Sequence, residues 1–235
     1  MAIEPTNPLK SFISTRVLKR GSVPYRAISL LFGKNWPKYK KKTNGNQIYL
    51  TFDDGPNPGV TDQIAEILES AGHRATFFVV GENVERFPKL TKHLEAQGHG
   101  LGSHSFSHPH PSEISWWSRF KNYRLGHKVL NNTLDSKTNL FRTPHGTFDW
   151  CSLLASVSMR STFYLWNTNS LDWQENSTPE EMVINLGDIE PGSIVLFHDA
   201  ILDNPKAEDR TATIQAVKNL VEVLETQGLK SASLV

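Results

Sequence analysis

The chain has 235 residues, 38% hydrophobic and 21% charged, the composition of an ordinary globular protein with room for one large domain and a real core. Its single cysteine, Cys151, excludes an intrachain disulfide, argues against a cysteine-based metal site and reads as a small buried hydrophobe. The formal net charge of +1 hides an asymmetry: residues 1–46 hold 10 of the 25 Lys and Arg and one acid, Glu4, which leaves 15 bases and 23 acids, a net of −8, in the remainder.

Taken in order, residues 1–46 read as a basic N-terminal extension and residues 47–235 as the folded domain. No run of 18 apolar residues marks a membrane-spanning helix. Ala27, Ile28, Ser29, Leu30, Leu31 and Phe32 form only a short apolar stretch, with no small-residue cleavage site after it, so no signal peptide is expected. Residues 38–42 read as a solvated basic run, and residues 40–46, "KKKTNGN", as the one candidate linker. From residue 47 onward, short β-rich runs alternate with segments of helical period. The runs are Gln47–Asp53, 75–81, 99–104, 139–142, 161–167, 193–198 and 229–235. Between them, Val60, Ile64, Ile67, Leu68 and Ala71 recur at one-turn spacing and Gly72 closes that helix. Leu90 and Leu94 serve a second helix, ended by Gly98. Residues 112–134, 147–160, 178–189 and 208–227 are the later helices. Strand and helix alternating seven times predict a parallel sheet, and a closed barrel fits better than an open one.

The barrel is favoured by where the reactive residues fall. Asp53 and Asp54 end the first run, His104 and His108 lie at and after the end of the third, and Arg142 ends the fourth. Asp172 and Trp173 follow the fifth, and His198 and Asp199 end the sixth. In a βα barrel those strand ends share one face, and that face carries the active site. Within "TFDDGP", strand alternation predicts that Asp53 and Asp54 point in different directions, and two nearby anions repel unless a cation or proton separates them. The plain alternative is a solvated Asp-Gly-Pro turn. His-x-x-x-His has metal-ligand spacing, since one helical turn puts both imidazoles on one side. Two imidazoles and the Asp54 carboxylate make a three-ligand site with open positions, and Asp53 beside it suits a general base for water.

"TFDDGP", "SHSFSH", "RTPHG", "SLDW" and "LFH" together resemble the five ordered motifs of the NodB-like polysaccharide deacetylases, carbohydrate esterase family 4, over residues 47–200 and on to the C-terminus. The resemblance implies a distorted (β/α)7 barrel of the NodB-homology type and metal-dependent removal of acetyl groups, N-acetyl of N-acetylglucosamine units first among them. It implies one divalent metal ion, zinc before cobalt or nickel, on Asp54, His104 and His108. It makes Asp53 the catalytic base, Arg142 the residue that orients it, and His198 the general acid tuned by Asp172. Trp173 and Leu196 would line the acetyl pocket. The backbone N–H of His145, between Pro144 and Gly146, would help hold an oxyanion. Two departures touch substrate contacts: Thr143 and His145 stand where the family commonly has Pro and Tyr, and Asn169 where it often has Asp.

The remaining candidates are weaker. His110 is a loop histidine before it is a fourth ligand. Trp116 and Trp117 either stack on sugar rings or serve the core or a helix face, and Asp199 is solvated or structural. The expected partner is an acetylated saccharide, not a nucleic acid. A carbohydrate-binding pseudoenzyme, or a deformylase or deacetylase of a lipid-linked sugar, is the alternative. Ile28, Leu30, Leu31, Phe32 and Trp36, beside the bases of residues 1–46, suit peripheral contact with an anionic membrane or a cap on the barrel. The chain is expected to be cytoplasmic or membrane-peripheral if complete, and secreted or envelope-bound if a leader was removed.

Overall fold

A computed structural model describes residues 32–202 and 209–235. Its strands are β1 (Gln47–Asp53), β2 (Ala75–Val79), β3 (Gly100–Ser103), β4 (Leu140–Phe141), β5 (Thr162–Phe163), β6 (Thr168–Asn169), β7 (Ile194–His198) and β8 (Lys230–Ser231). The helices are α1 (Thr61–Ser70), α2 (Gly81–Arg86), α3 (Pro88–Ala96), α4 (Trp116–Thr133), α5 (Trp150–Ser158), α6 (Pro179–Asn185) and α7 (Thr211–Thr226). All recorded ladders are parallel, in the order β5-β4-β3-β2-β1-β7-β6, with β8 against the start of β1. The result is a curled (β/α)7 barrel of the expected distorted kind.

Period-2 alternation sorts its side chains into two layers. Leu50, Phe52, Phe77, Val195 and Phe197 face outward and pack under α1 and α7, against Ile64, Leu68, Val217 and Leu220. Tyr49, Phe78, Leu140, Tyr164 and Ile194 fill the interior. In β1 the inward set is therefore Tyr49, Thr51 and Asp53, which delivers the last of them into the mouth of the barrel.

Three expectations are corrected. The run at 161–167 is not one strand: β5 stops after Phe163, because Arg142 takes the Tyr164 and Leu165 carbonyls (3.4 and 3.1 Å), so those groups do not join a ladder. The run at 75–81 ends at Val79, since Val80 N–H donates to Gly55 and Gly81 N–H to Ser105 (2.9 and 3.0 Å), and Gly81 opens α2, too short to show a period. Among the described residues β5 and β6 do not pair, and the seam is patched by residues taken for a solvated basic run. Lys38 N–H donates to Phe163 O at 2.9 Å, Leu165 N–H to Lys38 O at 2.9 Å and Lys41 N–H to Gly192 O at 3.0 Å. The Lys41 ammonium lies 4.8 Å from the Tyr49 ring centroid and donates to Leu234 O at 2.9 Å. Trp36, read either as apolar surface for lipid or as part of a cap on the barrel, is buried edge-on against Phe148 at 5.0 Å, the packing a cap requires. Ile28, Leu30 and Leu31, and with them most of the basic arm, lie outside the described residues.

Candidate active site

The two carboxylates of "TFDDGP" converge instead of diverging. Asp53 ends the inward set of β1, and Asp54 then adopts φ 80°, leaving the strand so that alternation no longer applies. Both reach one imidazole: His104 Nε2 lies 3.7 Å from Asp53 Oδ2 and 3.4 Å from Asp54 Oδ1. His108 Nε2 lies 3.1 Å from the same Asp54 oxygen.

His-x-x-x-His is not a helical turn here. Residues 104–110 form a loop in which Ser105 and His108 have φ 73° and 50°, and Ser105 Oγ accepts the His108 N–H at 3.0 Å. Asn122, on α4, pins the loop by accepting from Phe106 N–H at 2.8 Å and donating to Ser107 Oγ at 2.8 Å. Gly126, one turn further along α4, brings that helix so close that a Cβ would lie 2.1 Å from Ser105 O.

Asp54, His104 and His108 are buried, with one ligand atom from each within 4.8 Å of the others. Their hydrogen bonding shows that a cation fits. His104 Nδ1 lies 3.1 Å from the Arg142 carbonyl, an acceptor, so Nδ1 carries the proton and the neutral ring presents a bare Nε2 lone pair. That lone pair faces Asp54 Oδ1, a buried oxygen with no hydrogen-bond donor of its own. Acceptors facing one another across a buried gap are what a divalent cation relieves. Burial alone would raise the Asp54 pKa, but positive charge placed at His108 and His104 outweighs it and holds the carboxyl well below its usual range, and a bound cation would supply that charge in their place.

Arg142 follows β4 and is wholly buried, its guanidinium 4.1 Å from the Phe78 ring centroid. Its Nη1 donates to Asp53 Oδ1 at 2.7 Å and to Thr51 Oγ1 at 2.8 Å. One Asp53 oxygen is thereby fixed and the other left toward His104. His198 is the register partner of Asp53 across β1 and β7. Its Nδ1 meets Asp172 Oδ1 at 2.8 Å, and its backbone N–H donates to Asp172 Oδ2 at 2.9 Å. Burial would lower the His198 pKa, but the Asp172 carboxylate beside it, aided by Asp54 and Asp53, raises it to about 9. Asp172 is itself held below its usual range against burial, by His198 and by Arg210.

Several participants escaped the sequence reading. Arg210 donates to Asp172 O at 2.7 Å, and Thr213 Oγ1 lies 3.2 Å from Asp172 Oδ2, both reaching back from α7 and its approach. No spacing motif links residues 38 and 41 positions apart, so the sequence held no signal for them. Asp199, read as solvated or structural, is fully buried: it accepts from Gly55 N–H at 3.0 Å and from Thr61 Oγ1, tying the end of β7 to the "DDGP" turn. Burial pushes its carboxyl up to about 7.

Around this centre, His145 takes φ 55° and its ring lies 4.6 Å from that of His108. Pro144 and Gly146 beside it are buried. Leu196 is buried, on the same face of β7 as His198, and Trp173 stands exposed at the rim. His110 is outside the Asp-His-His cluster, its Nδ1 2.6 Å from Ser112 Oγ. Trp116 and Trp117 are both exposed, neither in the core.

Comparison with known proteins gives the family of the chain and its fold relatives. Residues 40–164 match the family model for polysaccharide deacetylases. A chitooligosaccharide deacetylase of Sinorhizobium fredii is 28% identical over 197 residues, covering 82% of this chain and 92% of that protein. A peptidoglycan-N-acetylglucosamine deacetylase of Bacillus cereus is 27% identical over 192 residues, covering 81% and 68%. A solved structure of a family 4 carbohydrate esterase from Streptomyces lividans in complex with acetate superposes with a TM-score of 0.71 at 25% identity, covering 83% of this chain and 95% of that one.

Proposed function

The chain belongs to the polysaccharide deacetylase family, and from that premise we propose that it is a metal-dependent hydrolase that removes N-acetyl groups from N-acetylglucosamine units of a polysaccharide or oligosaccharide. One observation carries the reading: a proton acceptor, Asp53, and a proton donor, His198, stand as register partners beside the Asp54, His104 and His108 cluster.

Asp54, His104 and His108 would hold the cation, and two imidazoles with one carboxylate accept zinc, cobalt or nickel, of which we propose zinc. When bound, it supplies Lewis acidity toward the acetyl carbonyl and lowers the pKa of water. Asp53 Oδ2, free of the Arg142 bond, takes the proton of the attacking water. Arg142 holds that carboxylate in one orientation. With Nδ1 engaged by Asp172, the His198 imidazolium has Nε2–H to give to the leaving amine as the C–N bond breaks. Its pKa of about 9 keeps that proton in place at neutral pH. The His145 backbone N–H, Leu196 and Trp173 are the proposed contacts to the oxyanion and the acetyl methyl. Pro144 and Gly146, buried on either side of His145, are proposed to contact the substrate with it.

The test is release of acetate and free amine, in equal amounts, from N-acetylated chito-oligosaccharides. His104→Ala should abolish both turnover and tight metal binding. A folded, metal-loaded wild type that binds these saccharides without releasing acetate would make the chain a pseudoenzyme and end this reading.

A further inference from the structure

The outer faces of α4 and α5 carry a surface that the deacetylase site does not use. β3 and β4 are parallel neighbours, so the helices that follow them lie side by side, with their first turns at the catalytic face. The two starts are joined by the Arg119–Asp149 ion pair and by Cys151 Sγ donating to Trp116 O at 3.5 Å. Trp150, Leu154 and Val157 recur at one-turn spacing on α5 and are exposed by 52, 43 and 41%. On α4 the corresponding exposed stripe is Trp117, Lys121, Arg124 and Lys128, with Leu125 beside it. Six of the large hydrophobic side chains exposed among the described residues lie on these two helices. Residues 114–134 and 150–160 contain no Asp or Glu, although the chain has 24.

An apolar stripe beside a cationic stripe, with tryptophans at one end, is the pattern that seats a helix face at the boundary between lipid headgroups and acyl chains. We propose that the outer face of α4 and α5 docks the protein on an anionic lipid surface. Lys121, Arg124, Lys128 and Arg160 meet the headgroups, and Trp150, Leu154 and Val157 enter the interface. Charge decides against the other occupants. A second copy would set one acid-free basic face against another, and a saccharide has no use for the aliphatic residues Leu125, Leu154 and Val157. Phe32 packs edge-on to Trp150 at 6.3 Å at the border of this face. Docked this way, the mouth of the barrel lies level with the membrane surface, beside saccharides anchored there.

Flotation of the full chain with vesicles tests this, using mixed phosphatidylglycerol and phosphatidylcholine against phosphatidylcholine alone. The wild type should float with the anionic vesicles and be released as salt rises. Each basic residue near such a surface contributes about five-fold in affinity, so Lys121→Glu with Arg124→Glu should weaken binding by roughly 25-fold or more. Leu154→Ser with Val157→Ser should weaken it by about ten-fold, with near-ultraviolet circular dichroism unchanged in both variants. No binding to anionic vesicles, equal binding to neutral ones, or binding that survives both double substitutions would overturn the assignment. So would a finding that the same variants lose adsorption to insoluble acetylated polysaccharide, or lose self-association, while lipid binding is unaffected.

Discussion

Asp172→Asn isolates the proton on His198. In the native site Asp172 is the largest influence raising that imidazole, against burial, to about 9. At pH 8 roughly nine-tenths of the enzyme would then hold the proton needed by the leaving amine. Without the Asp172 charge, burial is left as the main influence, so the imidazole falls to its ordinary value of 6.5 or below, and at most about 3% is protonated at pH 8. The expected loss in kcat/KM is thus about 30-fold at pH 8, shrinking to near unity around pH 5.5, where both enzymes are protonated. A cation on Asp54 offsets the smaller contributions of Asp54 and Asp53 and lowers the limb in both proteins, so about 30-fold is the upper figure for the comparison, which is made with both fully loaded. The assay is acetate release from a soluble chito-oligosaccharide between pH 5 and 9.5. The substitution also disturbs the bonds from Arg210 and Thr213, but loss of positioning alone would lower the rate by the same factor at every pH. A ratio of variant to wild type that is flat across this range would refute the coupling of Asp172 to the proton on His198.

Asp53→Asn should retain one equivalent of metal and lose on the order of 10²–10⁴ in kcat, measured by metal analysis and acetate release on the same sample; metal lost together with activity would make Asp53 a ligand. Gly126→Ala should destabilise the protein by about 1–3 kcal/mol, or roughly 3–10 °C in Tm by calorimetry, although alanine favours helix by about 1 kcal/mol, because its Cβ would meet the Ser105 carbonyl at 2.1 Å. His198 also links stability to pH: its raised pKa makes a contribution that is full below 6.5 and is lost as pH rises through about 9. Metal-free protein should therefore lose denaturation midpoint across that window, and Asp172→Asn should flatten the loss.

Much of the site was legible because barrel geometry puts strand ends on one face, and the reactive residues fall at strand ends. Asp53 is inward by plain alternation from Tyr49 and Thr51. What alternation could not show is Asp54, whose left-handed backbone turns it to the same centre, or the loop that brings His104 and His108 together without a helical turn. Asn122 and Thr213 act from helices, and Arg210 from the residue before one, at separations that no short motif spans. The sheet was legible where strands are long, as in β1 and β7. It was not at residues 161–167, where a buried guanidinium takes the carbonyls a longer strand would use, nor at residues 38–41, where a lysine-rich segment completes the seam by backbone hydrogen bonds that composition does not reveal.

The central claim is that deacetylation depends on a single cation held by Asp54, His104 and His108. Protein stripped of metal and titrated with zinc, with acetate release from an N-acetylated chito-oligosaccharide followed at each addition, measures this directly. Activity should start near zero and rise linearly to a break at one equivalent per chain. Activity that is already full in the stripped protein, or absent at one equivalent and beyond, would contradict it.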